Sequence, residues 1–124
     1  MTIADSARRL VDIAAVAAAD KLAERIVAFD VSEQLAITDA FLVCSAANDR
    51  LVRAIVEEIE DRLREAGAKT IRREGHQEGR WVLLDYGEIV VHVQHEEERE
   101  FYALERLWRD CPQLELPAEV HAPR

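Results

Sequence analysis

Between Asp5 and about Arg25, apolar residues recur with the spacing of one helical face: Leu10, Val11, Ala14, Ala17, Ala18 and Leu22 stand among charged neighbours, and alanine fills many of the other places. That spacing predicts an amphipathic helix, with alanine supplying the best helix propensity. "RIVAFDVS" then reads as a strand and "LAITDAFLVCSAA" as a second, longer one, punctuated by Asp30 and Asp39. The clearest periodicity lies in "NDRLVRAIVEEIEDRLREAG", where Leu51, Val52, Ile55, Val56, Ile59 and Leu63 share a face. Asn48 or Asp49 caps the start of this helix and Gly67 its end. "KTIRRE" predicts a short third strand and "HQEGR" a loop. "GRWVLLDYGEIVVHVQ" packs two apolar runs around a tight Asp-Tyr-Gly-Glu turn, the pattern of a hairpin joined at Tyr86-Gly87. Last, "EEEREFYALERLW" places Phe101, Leu104 and Trp108 on one helical stripe, with glutamates at the positive end of the helix dipole.

The order is helix, strand, strand, helix, three strands, helix. It predicts an α/β (α+β) domain: a single mixed β-sheet of about five strands flanked by helices. A chain of 124 residues has room for one core. The domain is expected over residues 1–110, and the three prolines of "CPQLELPAEVHAPR" predict an irregular or mobile tail over 111–124.

Charge narrows the partners. The formal charge is −9, with 12 acidic against 7 basic side chains in residues 1–62 and 13 against 9 in residues 63–124, so no basic arm exists. Nucleic-acid binding draws on phosphate neutralisation by Lys and Arg, and no direct contact with RNA or DNA is expected. A basic protein partner suits the chain better. No apolar run reaches the ~18 residues needed to cross a bilayer, and "MTIADSARRL" has no signal-peptide pattern, so a cytoplasmic protein without membrane contact is expected. Cys44 within an apolar run and Cys111 before Pro112 read as free thiols.

Catalytic constellations are weak. His92 and His95 form an HxxH that would be half a zinc site on a helix; on a strand, residues three apart point to opposite faces, and no further ligands are in view. Cys44, His92 and Asp85 suggest a nucleophilic triad only on paper, since no glycine-rich oxyanion turn precedes the cysteine. "CSAANDR" sits where nucleotidyltransferases place a Gly-Ser followed by paired carboxylates, yet the glycine and the Asp-x-Asp are missing. No metal and no cofactor are expected. Strand alternation puts Trp81, Leu83 and Asp85 on one face and Val82, Leu84 and Tyr86 on the other. Both faces are mostly apolar, so both need cover, and a partner is a candidate for one of them. Trp81 fits a core position and an interface anchor equally well. The acidic run Glu96 to Glu100, with Glu88 and Glu105, reads as a solvated helix start or as a negative rim facing a basic partner.

"ITDAFLVCSAANDR", "EGRWVLLDYGEIVVHV" and "REFYALERLW" resemble, in order and spacing, the motifs of the Iojap-like ribosomal silencing factors, from the first helix to Trp108. The resemblance implies a nucleotidyltransferase-like fold without the active site, and a translational repressor rather than an enzyme. It implies binding to the L-fourteen protein of the large ribosomal subunit, on the face that meets the small subunit, with subunit joining blocked sterically. Mapped onto this chain, the W-x-x-x-D-Y stretch is Trp81, Asp85 and Tyr86, and the aromatic C-terminal helix supplies Tyr102 and Trp108. Trp81, Leu83, Asp85, Tyr86 and Tyr102 are the candidate contacts, with Glu88 and Glu105 as weaker charge contacts. Two alternatives stand beside this reading. One is a minimal magnesium-dependent nucleotidyltransferase using Asp30, Asp39 or Asp85, and the other a homodimeric module whose apolar sheet face pairs with itself.

Overall fold

The structure is a computed structural model that describes residues 3–122. Helix α1 spans Asp5–Asp20. It stops short of Arg25 because the backbone turns left-handed at Leu22 (φ 63°), which leaves Leu22 66% exposed and off the apolar stripe. Strand β1 covers Glu24–Asp30 and β2 covers Ala40–Ala46. The expected start of β2 near Leu35 is instead a turn. There the Gln34 and Leu35 amides donate to the Val31 carbonyl, and the Asp39 amide reaches across to the Glu88 carbonyl. Helix α2 (Asp49–Glu65) begins at Asn48, whose Oδ1 accepts from the Leu51 amide at 2.9 Å, a cap contributing about 1 kcal/mol. Strands β3 (Arg72–Glu74), β4 (Trp81–Asp85) and β5 (Ile89–His95) follow.

One mixed sheet results, in the order β1-β2-β5-β4-β3, with β2 and β5 parallel and the other pairs antiparallel. Both long helices pack on the same face. Ala7, Ala14, Ala15, Ala17 and Ala18 are fully buried, and their small side chains allow α1 to lie close to its neighbours. Val52, Ile55, Val56, Ile59 and Leu63 bury most of the predicted face of α2, each contributing about 1.5–3 kcal/mol over an exposed position, while Leu51 in the first turn is 40% exposed. Leu42, Cys44, Val82, Leu84, Val91 and Val93 complete this core from the sheet.

The C-terminal helix departs from expectation. It is broken into α3 (Glu96–Tyr102) and α4 (Leu104–Leu107) by Ala103, which is left-handed at φ 46°. Phe101 is therefore 80% exposed rather than on a stripe with Trp108. The break has a cause. In a continuous helix residues 99 and 105 would point about 120° apart. Here Arg99 Nε donates to Glu105 Oε1 at 3.0 Å, and Arg99 is 1% exposed.

The tail has little regular structure but is tied down. The Asp30 amide donates to the Pro112 carbonyl and the Leu114 amide to the Ala28 carbonyl, so residues 112–114 run along the open edge of β1. Cys111 and Val120 are buried, and Leu114 and Leu116 pack on the main core. Both cysteines are free thiols. Among the described residues no helix is long and apolar enough to cross a membrane.

Candidate protein-binding face

The alternation of β4 is as expected: Val82 and Leu84 are fully buried under the helices, while Trp81, Leu83 and Asp85 lie half-buried on the opposite face. Among the described residues that second face is covered by α3, α4, the start of the tail and Leu35 of the β1–β2 turn. Strand register sets its rows. Leu83 pairs with His92 of β5, and His92 with Val43 of β2. Phe41, two residues before Val43, therefore shares the face, and its ring meets that of His92 edge-on at 5.1 Å and that of Trp108 at 5.1 Å.

Trp81 anchors the cluster. Its indole Nε1–H donates to His92 Nδ1 at 3.1 Å, and its ring lies 4.8 Å from Tyr102. His92 is 7% exposed and is pushed down to about 4 by burial, so the ring is neutral. Tyr102 remains half exposed, and Leu83 and Val90 continue the apolar surface toward the hairpin turn. Asp85 ends the row. Its Oδ1 accepts from the Gly87 amide at 2.8 Å, which fixes the turn that Gly87 makes with φ 81°.

The candidate residues thus separate into two groups. Trp81, Leu83, Asp85 and Tyr102 share this face. Tyr86 points into the helical side, 7% exposed, where its hydroxyl accepts from Thr70 Oγ1 at 3.0 Å and burial raises its titration. Glu88 sits against α1 and accepts from the Ser6 hydroxyl. Glu105 is bound to Arg99 at 3.0 Å and to Arg25 at 3.2 Å. Burial would raise its carboxyl, but the Arg99 hydrogen bond and the Arg99 and Arg25 charges outweigh it and hold it low.

No catalytic constellation assembles from the candidate groups. Cys44 faces the helices while its register neighbours place His92 on the other side, and burial pushes the thiol up to about 12. His95 does not join His92; it caps α3 by accepting from the Glu97 amide at 3.0 Å. Asp30 and Asp85 are three strand spacings apart, about 14 Å, too far to share an ion. Asp30 is engaged by the Ser32 amide and hydroxyl. Among the described residues no three His, Cys, Asp or Glu side chains gather as a metal site would require.

Arg99 and Phe41 are the contributors that the sequence does not reveal, whereas His92 is hydrogen-bonded within the sheet as its strand position suggests. Arg99 looks like one solvated charge in "EEEREFY", yet it is the buried residue that holds α3 to the sheet. Its guanidinium donates to Ser45 Oγ, the Arg25 carbonyl and Glu105.

The fold and face define a single-sheet α/β domain with both long helices on one side and a half-open aromatic surface on the other. The same architecture occurs in a crystal structure of a protein from Chromobacterium violaceum, with a TM-score of 0.80 and 31% identity over 82% of this chain and 85% of that one. A crystal structure from Bacillus halodurans gives 0.78 and 39% over 88% of this chain and 99% of that one. The ribosomal silencing factor RsfS of Bacillus subtilis is 44% identical over 109 residues, 88% of this chain and 92% of that protein. Residues 4–124 match the family model described as ribosomal silencing factor during starvation. The chain belongs to the ribosomal silencing factor family. Its role is that family's ribosome-associated silencing, a form of translation regulation.

Proposed function

We propose that this protein represses translation by docking the sheet face of Trp81, Leu83, Asp85 and Tyr102 onto the L-fourteen-type protein of the large ribosomal subunit, so that the small subunit cannot join. The observation that carries the reading is Trp81 itself: a large aromatic residue left partly exposed among other rings, oriented by its hydrogen bond to His92. Such preformed aromatic surfaces supply the anchors of protein interfaces, and the fixed orientation lowers the ordering cost of binding. A chain of net charge −9 is steered toward a basic ribosomal protein and away from the surrounding RNA. Blocking is steric and needs neither cofactor nor catalysis, and the action belongs in the cytoplasm where subunits meet.

The test is sedimentation. Purified subunits mixed with saturating protein are expected to stay apart on a sucrose gradient, with the protein travelling with the large subunit. Normal formation of joined ribosomes would reject the mechanism, and co-sedimentation with small subunits would reject the partner.

A further inference from the structure

A second recessed surface lies beside the aromatic face. A groove of about 710 Å3 opens between the start of β1 and α3, lined by Glu24, Arg25, Ser45, Glu96, Glu100 and Phe101. Its walls are rigidly held. Buried Arg99 donates to the Arg25 carbonyl at 2.6 Å and to Ser45 Oγ at 3.2 Å, fixing β1 and β2 beneath α3. Arg25 itself is left-handed at φ 53°, where the β1–β2 register shifts.

The charge of the groove is one-sided. Glu97 also lines it, so four carboxylates face one guanidinium. Arg25 is bridged to Glu100 at 2.7 Å and Glu97 to Arg80 at 2.9 Å. Among the described residues no ion pair engages Glu24 or Glu96. Phe101 at the lip is 80% exposed, with its ring steadied edge-on by Tyr102 at 4.9 Å. An open aromatic ring beside unpaired carboxylates attracts an organic cation through the ring's quadrupole and through charge. It repels phosphate, which excludes nucleic acid as the occupant.

We propose that this groove binds a Lys/Arg-rich polypeptide segment of a partner, with one cationic side chain stacked on Phe101 and balanced by Glu24 and Glu96, and with an adjacent apolar residue seated in the groove. This site adjoins the Trp81 face at Tyr102, whose ring touches both Trp81 and Phe101, but its carboxylates lie outside that face and its occupant does not depend on what the face binds. The preorganised walls favour a segment that arrives extended, since little of the protein then has to be ordered.

The full chain is titrated with a synthetic capped hexapeptide, Lys-Phe-Arg-Lys-Leu-Arg, by calorimetry and by amide chemical shifts. Binding is expected, with shifts concentrated at residues 24–25, 45 and 96–101. Phe101→Ala is expected to weaken it about fivefold, the scale of a cation held over an exposed ring. The double variant Glu24→Gln/Glu96→Gln weakens it as well, while Glu57→Gln/Glu78→Gln, which removes two exposed carboxylates elsewhere, leaves it unchanged. Absence of binding, shifts confined to other surfaces, or equal weakening by the remote double variant would overturn the proposal. Spermine binding as tightly as the peptide would overturn the polypeptide assignment. Large-subunit sedimentation of the same variants separates the two sites. It should persist in Glu24→Gln/Glu96→Gln, and a failure of the unmodified chain to bind large subunits leaves the peptide result standing.

Discussion

The indole of Trp81 donates to Nδ1 of His92 at 3.1 Å, and this one bond decides the tautomer of the histidine. An indole N–H only donates, so Nδ1 carries the lone pair and the proton sits on Nε2. That Nε2 is buried without a partner among the described residues. Protonating the ring would break the bond to Trp81 and place a charge among Phe41, Trp81 and Val43.

Acid should therefore loosen this face before the rest of the molecule. His92 titrates ordinarily near 6.5 and is pushed down to about 4 by burial in the folded chain. Below about pH 6.5 the unfolded chain takes up a proton that the folded chain cannot, so stability falls as pH drops, until both forms are protonated below about 4. At up to about 1.4 kcal/mol per pH unit, the loss between pH 7 and pH 5 is on the order of 2 kcal/mol. Urea unfolding at the two pH values measures it. His92→Gln, which keeps an acceptor for Trp81 and does not titrate, should remove most of the difference; an unchanged difference would show that other groups cause it.

Trp81→Ala tests the face as an anchor. Because the side chain is half-buried rather than enclosed, truncation should cost less stability than the ~3–5 kcal/mol of a fully buried tryptophan. Affinity for large subunits should fall by about 2 kcal/mol or more, the scale of an interface hot spot. Unfolding midpoints and sedimentation binding on the same variant give both numbers. A large stability loss with undiminished binding by the folded fraction would mark Trp81 as structural only.

Gly75 offers a way to disturb Trp81 without touching it. Gly75 has φ 80°, and a Cβ there would lie 2.0 Å from the Trp81 carbonyl oxygen, a main-chain atom that cannot swing aside. Gly75→Ala should cost about 1–3 kcal/mol for the backbone conformation alone, plus whatever displacement of the β4 start relieves the clash. The expected result is a lower unfolding midpoint, with amide shifts at residues 81–82 and weaker large-subunit binding. Wild-type shifts at Trp81 would show that the loop absorbs the change.

Where local pattern governs, the sequence predicts the molecule well. The face of α2, the β4–β5 hairpin and the grouping of Trp81, Leu83 and Asp85 all follow from periods of 3.6 and 2 in strongly patterned segments. The same alternation separates Tyr86 from Trp81, although the W-x-x-x-D-Y motif groups them. Long-range bonds account for the misjudged boundaries. The start of β2 is set by the Asp39 amide meeting the Glu88 carbonyl, and the end of α1 by a left-handed Leu22. The contribution of Phe41 depends on β2 lying beside β5, an order that no local window contains.

The break at Ala103 is the deepest of these long-range effects and leads to the last prediction. Arg99 is 1% exposed and its guanidinium meets both oxygens of Glu105, at 3.0 Å from Nε and 3.0 Å from Nη2. Removing one member of such a pair leaves a buried charge without its counterion, a loss of about 3–5 kcal/mol for enclosed pairs. Glu105 is partly solvated, at 27% side-chain exposure, so Glu105→Gln should fall at or below the lower end. It retains one acceptor for Arg99. Arg99→Met removes the charge but also the donors to Ser45 and Arg25, and should release α3 from the sheet. Hydrogen exchange is the discriminating readout. Amides of residues 99–103 should lose protection in Arg99→Met and, to a smaller degree, in Glu105→Gln, while α2 amides keep theirs. Uniform loss across the sheet and α2 would mean that the pair supports the whole domain rather than the seating of α3, and equal protection in both variants and the unaltered chain would remove Arg99 as the cause of the helix break.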